Sequence, residues 1–545
     1  MEYGFLLVHT RLIFPMALHN QPTRQQVASR WLKTARRLLV CALFCLGSDS
    51  ALAEETSDPF GTEAMLPPKP ALSQSKRPTL HLDVEVSDPC DTQSLNHALD
   101  LSEVVNLALC NNAQTREAWA NSRVQAAQVG VSKAGYLPSA AVNASANRNL
   151  TGTNAGLDQR SIGLSISYLL YDFGSRAANL ENARQLLAAA SATQDSTVQA
   201  VFLGAVQAFY QAQAALAALD AALESERSAR ESFAAAEARH IAGSATLADK
   251  LQARTAFSQA TLNRITADGH LKNARGALAN MVGLDANRNV SLVAAAGYFA
   301  ATRNMLASPL PIPLPQAGEG ANDASQEGEA LKIFEGDVNT LIEEARQRRP
   351  DLQAAAAQAR VAEASADAAR AADRPTISLN ASSNQNTSAG ISSRGSQIGI
   401  ALSVPIFSGY APTYRVRAAE AQLDAKNIQL ERLRLQVALD VWASYQNLIT
   451  ATQSLRSTAD LLDSAEQSER AALGRYKAGV GSILDVLNAQ SALASARRQR
   501  IQSAFDWNIN RATLAQAMGS LDASLLQTLS DTSGQIYGKN PSRKN

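Results

Sequence analysis

HIAGSATLADKLQAR (residues 240–254) and YKAGVGSILDVLNAQ (residues 476–490) are one pattern written twice. Both have Ala-Gly at the third and fourth places, Leu or Ile at the eighth, Asp at the tenth, Leu at the twelfth and Ala at the fourteenth. Gly243 and Gly479 read as helix-ending glycines. Thr246-x-x-Asp249 and Ser482-x-x-Asp485 then read as capping boxes that start the next helix. Each stretch is therefore a helix, a tight turn and a returning helix.

The repetition extends in both directions from these turns. Asp100 aligns with Asp337, Pro138 with Pro375, and Asn143-Ala144-Ser145 with Asn380-Ala381-Ser382. Tyr210-Gln211 aligns with Tyr445-Gln446, and Arg275, Leu278 and Gly283 with Arg511, Leu514 and Gly519. Co-linear matching from about residue 100 to 284, and again from 337 to 520, marks an internal duplication.

Each half reads in the same order. A first helix, Leu101 to about Gly135 and Val338 to about Asp373, stops at Pro138 and Pro375. Two strands follow. Ile162, Leu164, Ile166, Tyr168 and Leu170 alternate with smaller residues, as do Ile398, Ile400, Leu402, Val404 and Ile406. Their partners, about 138–150 and 375–386, are rich in Ser, Asn and Ala, and TGTNAGLD and NTSAGISSRG read as the turns.

The period then lengthens. Val198, Phe202, Ala205, Phe209, Ala212, Leu216, Leu219 and Leu223 form a coiled-coil-like seam, as do Leu430, Leu433, Val437, Val441, Tyr445, Leu448, Thr452 and Leu455. No proline interrupts 175–240 or 414–477, so each run predicts a helix about 100 Å long. An isolated hairpin is unstable in water, whereas strands of about ten residues with one apolar face suit a membrane barrel. Four strands cannot close one, so several chains must contribute.

Composition agrees with this architecture. Aromatic residues are 5% of the 545, too few for a large globular core, and the net charge of +1 selects no nucleic acid. Arg30, Lys33, Arg36 and Arg37 precede LLVCALFCL and Ala51-Leu52-Ala53, the pattern of an export signal cleaved after Ala53. No apolar run of about 20 residues follows it. Cys90 and Cys110 remain after cleavage, and an exported chain with two cysteines is expected to bridge them. His81, His97, His240 and His270 have no metal-ligand spacing, and no phosphate loop or nucleophile elbow is present. No cofactor, metal or catalytic residue is expected. Arg497, Arg498 and Arg500 read as a solvated helix face.

The doubled order, the YLP and RP breaks, LLYDFG (169–174) and PIFSGY (405–410), and the paired Ala-Gly turns resemble the TolC family of outer-membrane channel proteins over about residues 95–525. The resemblance implies a mainly α chain with a small β part. Three chains would form a twelve-stranded outer-membrane barrel, continued by a duplicated long-helix coiled-coil tunnel across the periplasm. It also implies a homotrimer contacting outer-membrane lipid, a periplasmic adaptor, and an inner-membrane ABC or proton-driven exporter.

The expected organisation is a signal peptide with a long n-region (1–53), a flexible periplasmic segment (54–94), a first repeat (95–293), a linker (294–336), a second repeat (337–525) and a polar tail (526–545). The turns become the periplasmic entrance, where Asp249 and Asp485 would form carboxylate rings as well as capping helices. In this resemblance a second acid one turn on is replaced by Asn488, and an arginine in the second turn by Gly481. A lock would then fall to Tyr476 or Arg475. NNAQTREAW (111–119) and LLYDFGSR (169–176) resemble the type I secretion branch. A drug or metal efflux duct is the alternative, and a soluble coiled-coil adaptor is the alternative from another class.

Overall fold

The computed structural model describes residues 58–67, 97–148, 158–288, 290–292, 338–388 and 390–521. The chain divides at Gly61/Thr62, and only a turn, closed by Gly61 N–H donating to Asp58 O at 3.2 Å, is described of the first unit. The signal and its cleavage at Ala53, the linker 294–336, the tail 526–545 and Cys90 lie outside the described residues, as does most of 54–94.

In the second unit, helices α1 (Leu101–Asn111) and α2 (Ala113–Ala134) lead to strands β1 (Ser139–Arg148) and β2 (Asp158–Tyr171). Helix α3 (Ser175–Ile241) and the returning α4 (Leu247–Met281) complete the first half. The second half repeats this with a helix over 338–348 (α5), α6 (Pro350–Ala371), β3 (Thr376–Ser388), β4 (Ile391–Ser403), α7 (Ala411–Lys477) and α8 (Ile483–Ala517).

α3 and α7 are both 67 residues, about 100 Å at 1.5 Å per residue. α4 and α8, 35 residues each, cover about 53 Å of that length. α1 with α2, and α5 with α6, cover the rest up to the sheet. The seams are buried over most of their length, through Phe202, Ala205, Phe209 and Ala212 on α3 and Val437, Val441, Tyr445, Leu448 and Leu455 on α7, but the first one fails at its far end, where Leu223 is exposed. One stretch of α3 is apolar enough in composition to cross a membrane, but half of it is buried against neighbouring helices.

Both first helices are broken, where the sequence reading had one helix each. Asn112 caps α2, its side chain accepting from Gln114 N–H at 2.9 Å while its amide donates to Met281 O at 3.1 Å. Arg349 breaks the second, because Pro350 lacks an N–H and favours a new helix start. Arg349 is held by Asp351 at 2.6 Å and Asp440 at 3.0 Å.

The returning helices end on these breaks. Gly283 (φ +80°) sits so close that a Cβ would lie 2.7 Å from Asn111 O, and Gly519 (φ +71°) so close that one would lie 3.0 Å from Arg349 N. Gly283→Ala and Gly519→Ala each combine a left-handed backbone penalty of about 1–2 kcal/mol with a backbone collision. Each is expected to lower the thermal midpoint of the purified protein by several degrees. An unchanged midpoint in both would show that the joints are loose.

The four strands form one antiparallel sheet in the order β1-β2-β3-β4. NTSAGISSRG is mostly strand rather than turn: β3 and β4 pair up to Ser388↔Ile391, with Gly390 (φ +83°) in the turn. Cross-strand hydroxyl pairs Thr387–Ser392 and Ser383–Ser396, both 2.9 Å, compensate there for the missing apolar alternation. At the other end β4 stops at Ser403, so Val404 and Ile406 lie beyond it, where Pro405 cannot donate to a ladder.

Register gives the sheet two unlike faces. Val142, Leu164, Ile166, Leu379, Ile398, Ile400 and Leu402 share one face, and Ile398 and Ile400 are 77% and 71% exposed. The other carries Asn143, Ser165, Asn380, Gln397 and Gly399, and no charged side chain among the described residues. Arg176 ties sheet to helices: it donates to Leu170 O and Gly135 O, pairs with the buried Asp172 at 3.1 Å and lies over the Tyr136 ring.

Candidate functional site: the helix-turn tips

Both turns close by the same hydrogen bonds. Gly243 (φ +71°) donates to His240 O at 3.0 Å and Ser244 N–H to Arg239 O at 2.9 Å. Gly479 (φ +81°) donates to Tyr476 O at 3.1 Å and Val480 N–H to Arg475 O at 3.1 Å. This is the glycine-terminated Schellman arrangement, which satisfies the last carbonyls of each long helix.

The returning helices start with complete capping boxes. Asp249 N–H donates to Thr246 Oγ1 at 3.2 Å, and Asp249 Oδ2 accepts from Thr246 N–H at 2.9 Å and Oγ1 at 2.8 Å. Those bonds from the Thr246 amide and hydroxyl hold the Asp249 carboxyl below the usual carboxylate range. In the second turn Asp485 N–H donates to Ser482 Oγ at 3.2 Å, and Asp485 Oδ2 accepts from Ser482 N–H at a looser 3.3 Å. Asp249 is half-buried and Asp485 exposed. Both are third residues of their helices, close to the positive end of the dipole.

The two tips of the chain pack on each other. Ala236, Ala253, Ala472, Tyr476, Ile483, Val486 and Ala489 form a small core between them. Arg239, in the last turn of α3, clamps that core. Its Nη2 donates to Tyr476 O at 2.9 Å, and its guanidinium lies 4.0 Å from the centre of the Tyr476 ring. Tyr476 is thus buried, whereas Arg475 is exposed. Gly481 packs against this turn, since a Cβ there would lie 3.0 Å from Arg475 Cβ and 3.1 Å from Tyr476 N. The guanidinium at this tip therefore comes from the first half of the chain.

The structure groups Asp249, Asp485, Tyr476, Arg475, Gly243 and Gly479 at one end, away from the sheet. Cys110 is not part of it: it lies on α1 and is disulfide-bonded. Arg500 departs from the solvated face read for it. It is 4% exposed and donates from Nη1 to Leu455 O at 2.6 Å. Leu493, Ala496, Arg500 and Ala504 follow the seam spacing, so periodicity overrides charge there, and burial pushes its pKa down. Arg498 is exposed and Arg497 half-buried. Among the described residues no three His, Cys, Asp or Glu side chains cluster as a metal site would need.

Two long-helix hairpins below a sheet with one apolar face fit known relatives. The sequence profile described as outer membrane efflux protein matches residues 104–284 and 341–520, one stretch in each half. The chain belongs to the outer membrane efflux protein family. It is 31% identical to Protein CyaE of Bordetella pertussis over 78% of this chain and 85% of that one. It is 21% identical to outer membrane protein TolC of Escherichia coli over 82% and 88%. The CmeC outer membrane channel of Campylobacter jejuni shares the fold, with a TM-score of 0.64 and 18% identity over 82% of this chain and 90% of that one. Members of the family are channels. As an outer membrane efflux protein, the chain places its strands in the outer membrane and its helices in a long periplasmic tunnel.

Proposed function

We propose that three copies of this chain close head to tail into the exit duct of a tripartite export system. The observation that carries this reading is the sheet. It has two unpaired edges, β1 and β4, and one apolar face, which only closure within a membrane would satisfy. The helices also carry exposed apolar side chains that contacts between copies would cover: Leu251, Leu262 and Ile265 on α4 in the half near the turns, and Ile428, Leu435, Leu439 and Trp442 on α7 in the half near the sheet. Unlike edges that meet head to tail build rings.

The helix tips form the periplasmic entrance, facing a periplasmic adaptor and an inner-membrane exporter. The uncharged inner face of the barrel leaves charge selection to the tips. The cargo is protein, delivered by type I secretion, as the NNAQTREAW and LLYDFGSR stretches indicate; drug or metal efflux is the second reading. Deleting the gene should remove one secreted protein from the medium and leave drug and metal tolerance unchanged. The opposite pattern would establish the second reading. The mature chain, starting at Glu54, should sediment with outer membranes as a trimer. Recovery of only soluble periplasmic monomer would overturn the duct.

We further assign Cys90 as the partner of Cys110, closing a loop of about 20 residues worth about 3 kcal/mol. Non-reducing peptide mapping should recover the two peptides linked. Two unlinked peptides would remove the assignment.

A further inference from the structure

Every charged side chain in the four strands lies on the apolar, outward face of the sheet. The register pairs Arg148 with Asp158, and Ala146 with Arg160, so these follow the parity of Val142, Ile162 and Leu164. Arg394 pairs with Gln385, and Gln385 with Ile162, so it follows the parity of Ile398 and Ile400. All four charged residues stand at the hairpin end of the sheet: Arg394 is level in register with Ile162, the last apolar residue of β2 on this face, and the other three lie nearer the hairpin ends. None lies on the inner face.

Their height is informative. Arg394 precedes Leu402 by eight residues, about 27 Å along a strand and about 21 Å along the membrane normal at a tilt near 40°. The apolar band of an outer-membrane barrel is about 25 Å tall. Arg394 therefore approaches the outer margin of that band, and Arg160 and Arg148 lie one and two pleats farther toward the hairpin ends in register. An outward arginine is costly at the bilayer midplane and tolerated at the interface, where anionic headgroups meet it.

Little on the chain neutralises these cations. Arg148 Nε lies 3.8 Å from Asp158 Oδ1. Arg394 donates from Nη2 to the neutral Gln385 Oε1 at 3.1 Å. Among the described residues neither Arg160 nor Arg394 has a carboxylate within ion-pair distance. Three arginines and one aspartate leave two net positive charges per chain and six around a trimer. A guanidinium presents paired donors that match phosphate oxygens.

We propose that Arg148, Arg160 and Arg394 form a girdle that binds the phosphates of outer-leaflet glycolipid headgroups. This rests on the reading of the sheet as part of a trimeric outer-membrane barrel. The girdle fixes the height of the barrel in the membrane and recruits an annulus of anionic lipid. The inner face remains neutral and free for cargo.

The test uses the full-length purified trimer in mixed micelles. Native mass spectrometry compares a diphosphorylated diglucosamine lipid with the same lipid lacking both phosphates. The wild-type trimer should bind the phosphorylated lipid about tenfold more tightly, the order expected for a few charged contacts per lipid. Arg148→Gln/Arg160→Gln/Arg394→Gln should bind both lipids alike, while its planar-bilayer conductance matches wild type. Equal binding of both lipids by a conducting wild-type trimer would overturn the girdle and leave the duct standing. So would a conducting triple variant that keeps the preference. Inorganic phosphate at millimolar concentration should not compete; if it does, the site is one for free phosphate and the lipid assignment fails. A wild-type protein that neither trimerises nor conducts would remove the barrel and the girdle together.

Discussion

Arg239→Ala is expected to raise the single-channel conductance of the reconstituted duct several-fold. Arg239 holds the second tip through a charge-assisted hydrogen bond to Tyr476 O at 2.9 Å and a cation–π contact at 4.0 Å. A charged donor contributes about 1.5–3 kcal/mol and a cation–π contact about 0.5–2 kcal/mol. Removing both shifts the balance between held and released tips by about a hundredfold, since each 1.4 kcal/mol is a factor of ten. Arg239→Lys keeps the charge but not the flat, forked guanidinium, and should fall between wild type and alanine. Tyr476→Phe keeps the ring and the carbonyl that Arg239 uses, and should conduct like wild type. Unchanged conductance in Arg239→Ala would reduce the clamp to packing. A change as large in Tyr476→Phe would move the lock to the phenol.

That clamp was not legible from the sequence, whereas most of the frame was. Periods of two and of three and a half are set by backbone geometry, so the strands and the long helices announced themselves. Gly243 and Gly479 were legible because a left-handed helix terminus strongly favours glycine. The capping boxes were legible because both partners lie within four residues. Arg239 and Tyr476 are 237 residues apart. Nothing local pairs them, although Arg239 stands four residues before Gly243 as Arg475 does before Gly479. The duplication thus conceals an asymmetry. Two arginines in equivalent positions take different places, one stacked on the partner turn and one exposed.

The joints show the same limit from the other side. Asn111-Asn112 and Arg349-Pro350 are local stop signals, yet helix-forming residues run up to both from either side and mask them. What fixes the breaks is non-local: Gly283 against Asn111, and Gly519 against Arg349. Arg500 was misread because its neighbours Arg497 and Arg498 made a charge cluster more visible than the seam through Leu493, Ala496 and Ala504. The girdle arginines were present in the sequence throughout. Their shared face appears only with the register, because slipping one strand by one residue would turn its arginine inward.

Asp249→Asn/Asp485→Asn is expected to abolish most of the cation preference of the duct in planar bilayers while changing trimer stability little. Both residues are third in their helices, and an asparagine amide oxygen can still accept from the cap N–H. What is lost locally is the charge–dipole attraction, about 0.3–1 kcal/mol per helix. At the mouth the loss is larger, because the trimer forfeits three charges at each of two rings in a narrow, low-dielectric passage. Asp485 should carry more of the effect. It is exposed and held only at 3.3 Å, whereas Asp249 is half-buried and takes three bonds from and to Thr246. The difference should widen at low salt, where the screening length grows to tens of ångströms. Acid provides an independent readout. The Asp249 carboxyl is held below its usual range, so its charge and its share of tip stability persist above the ordinary carboxylate pKa. Both are lost only as pH falls through the lower folded value. In the Asp485→Asn variant, residual cation preference should therefore survive to more acid pH than a free carboxylate allows. If the double variant keeps wild-type selectivity at low salt, the repeated aspartate caps two helices and does not filter ions.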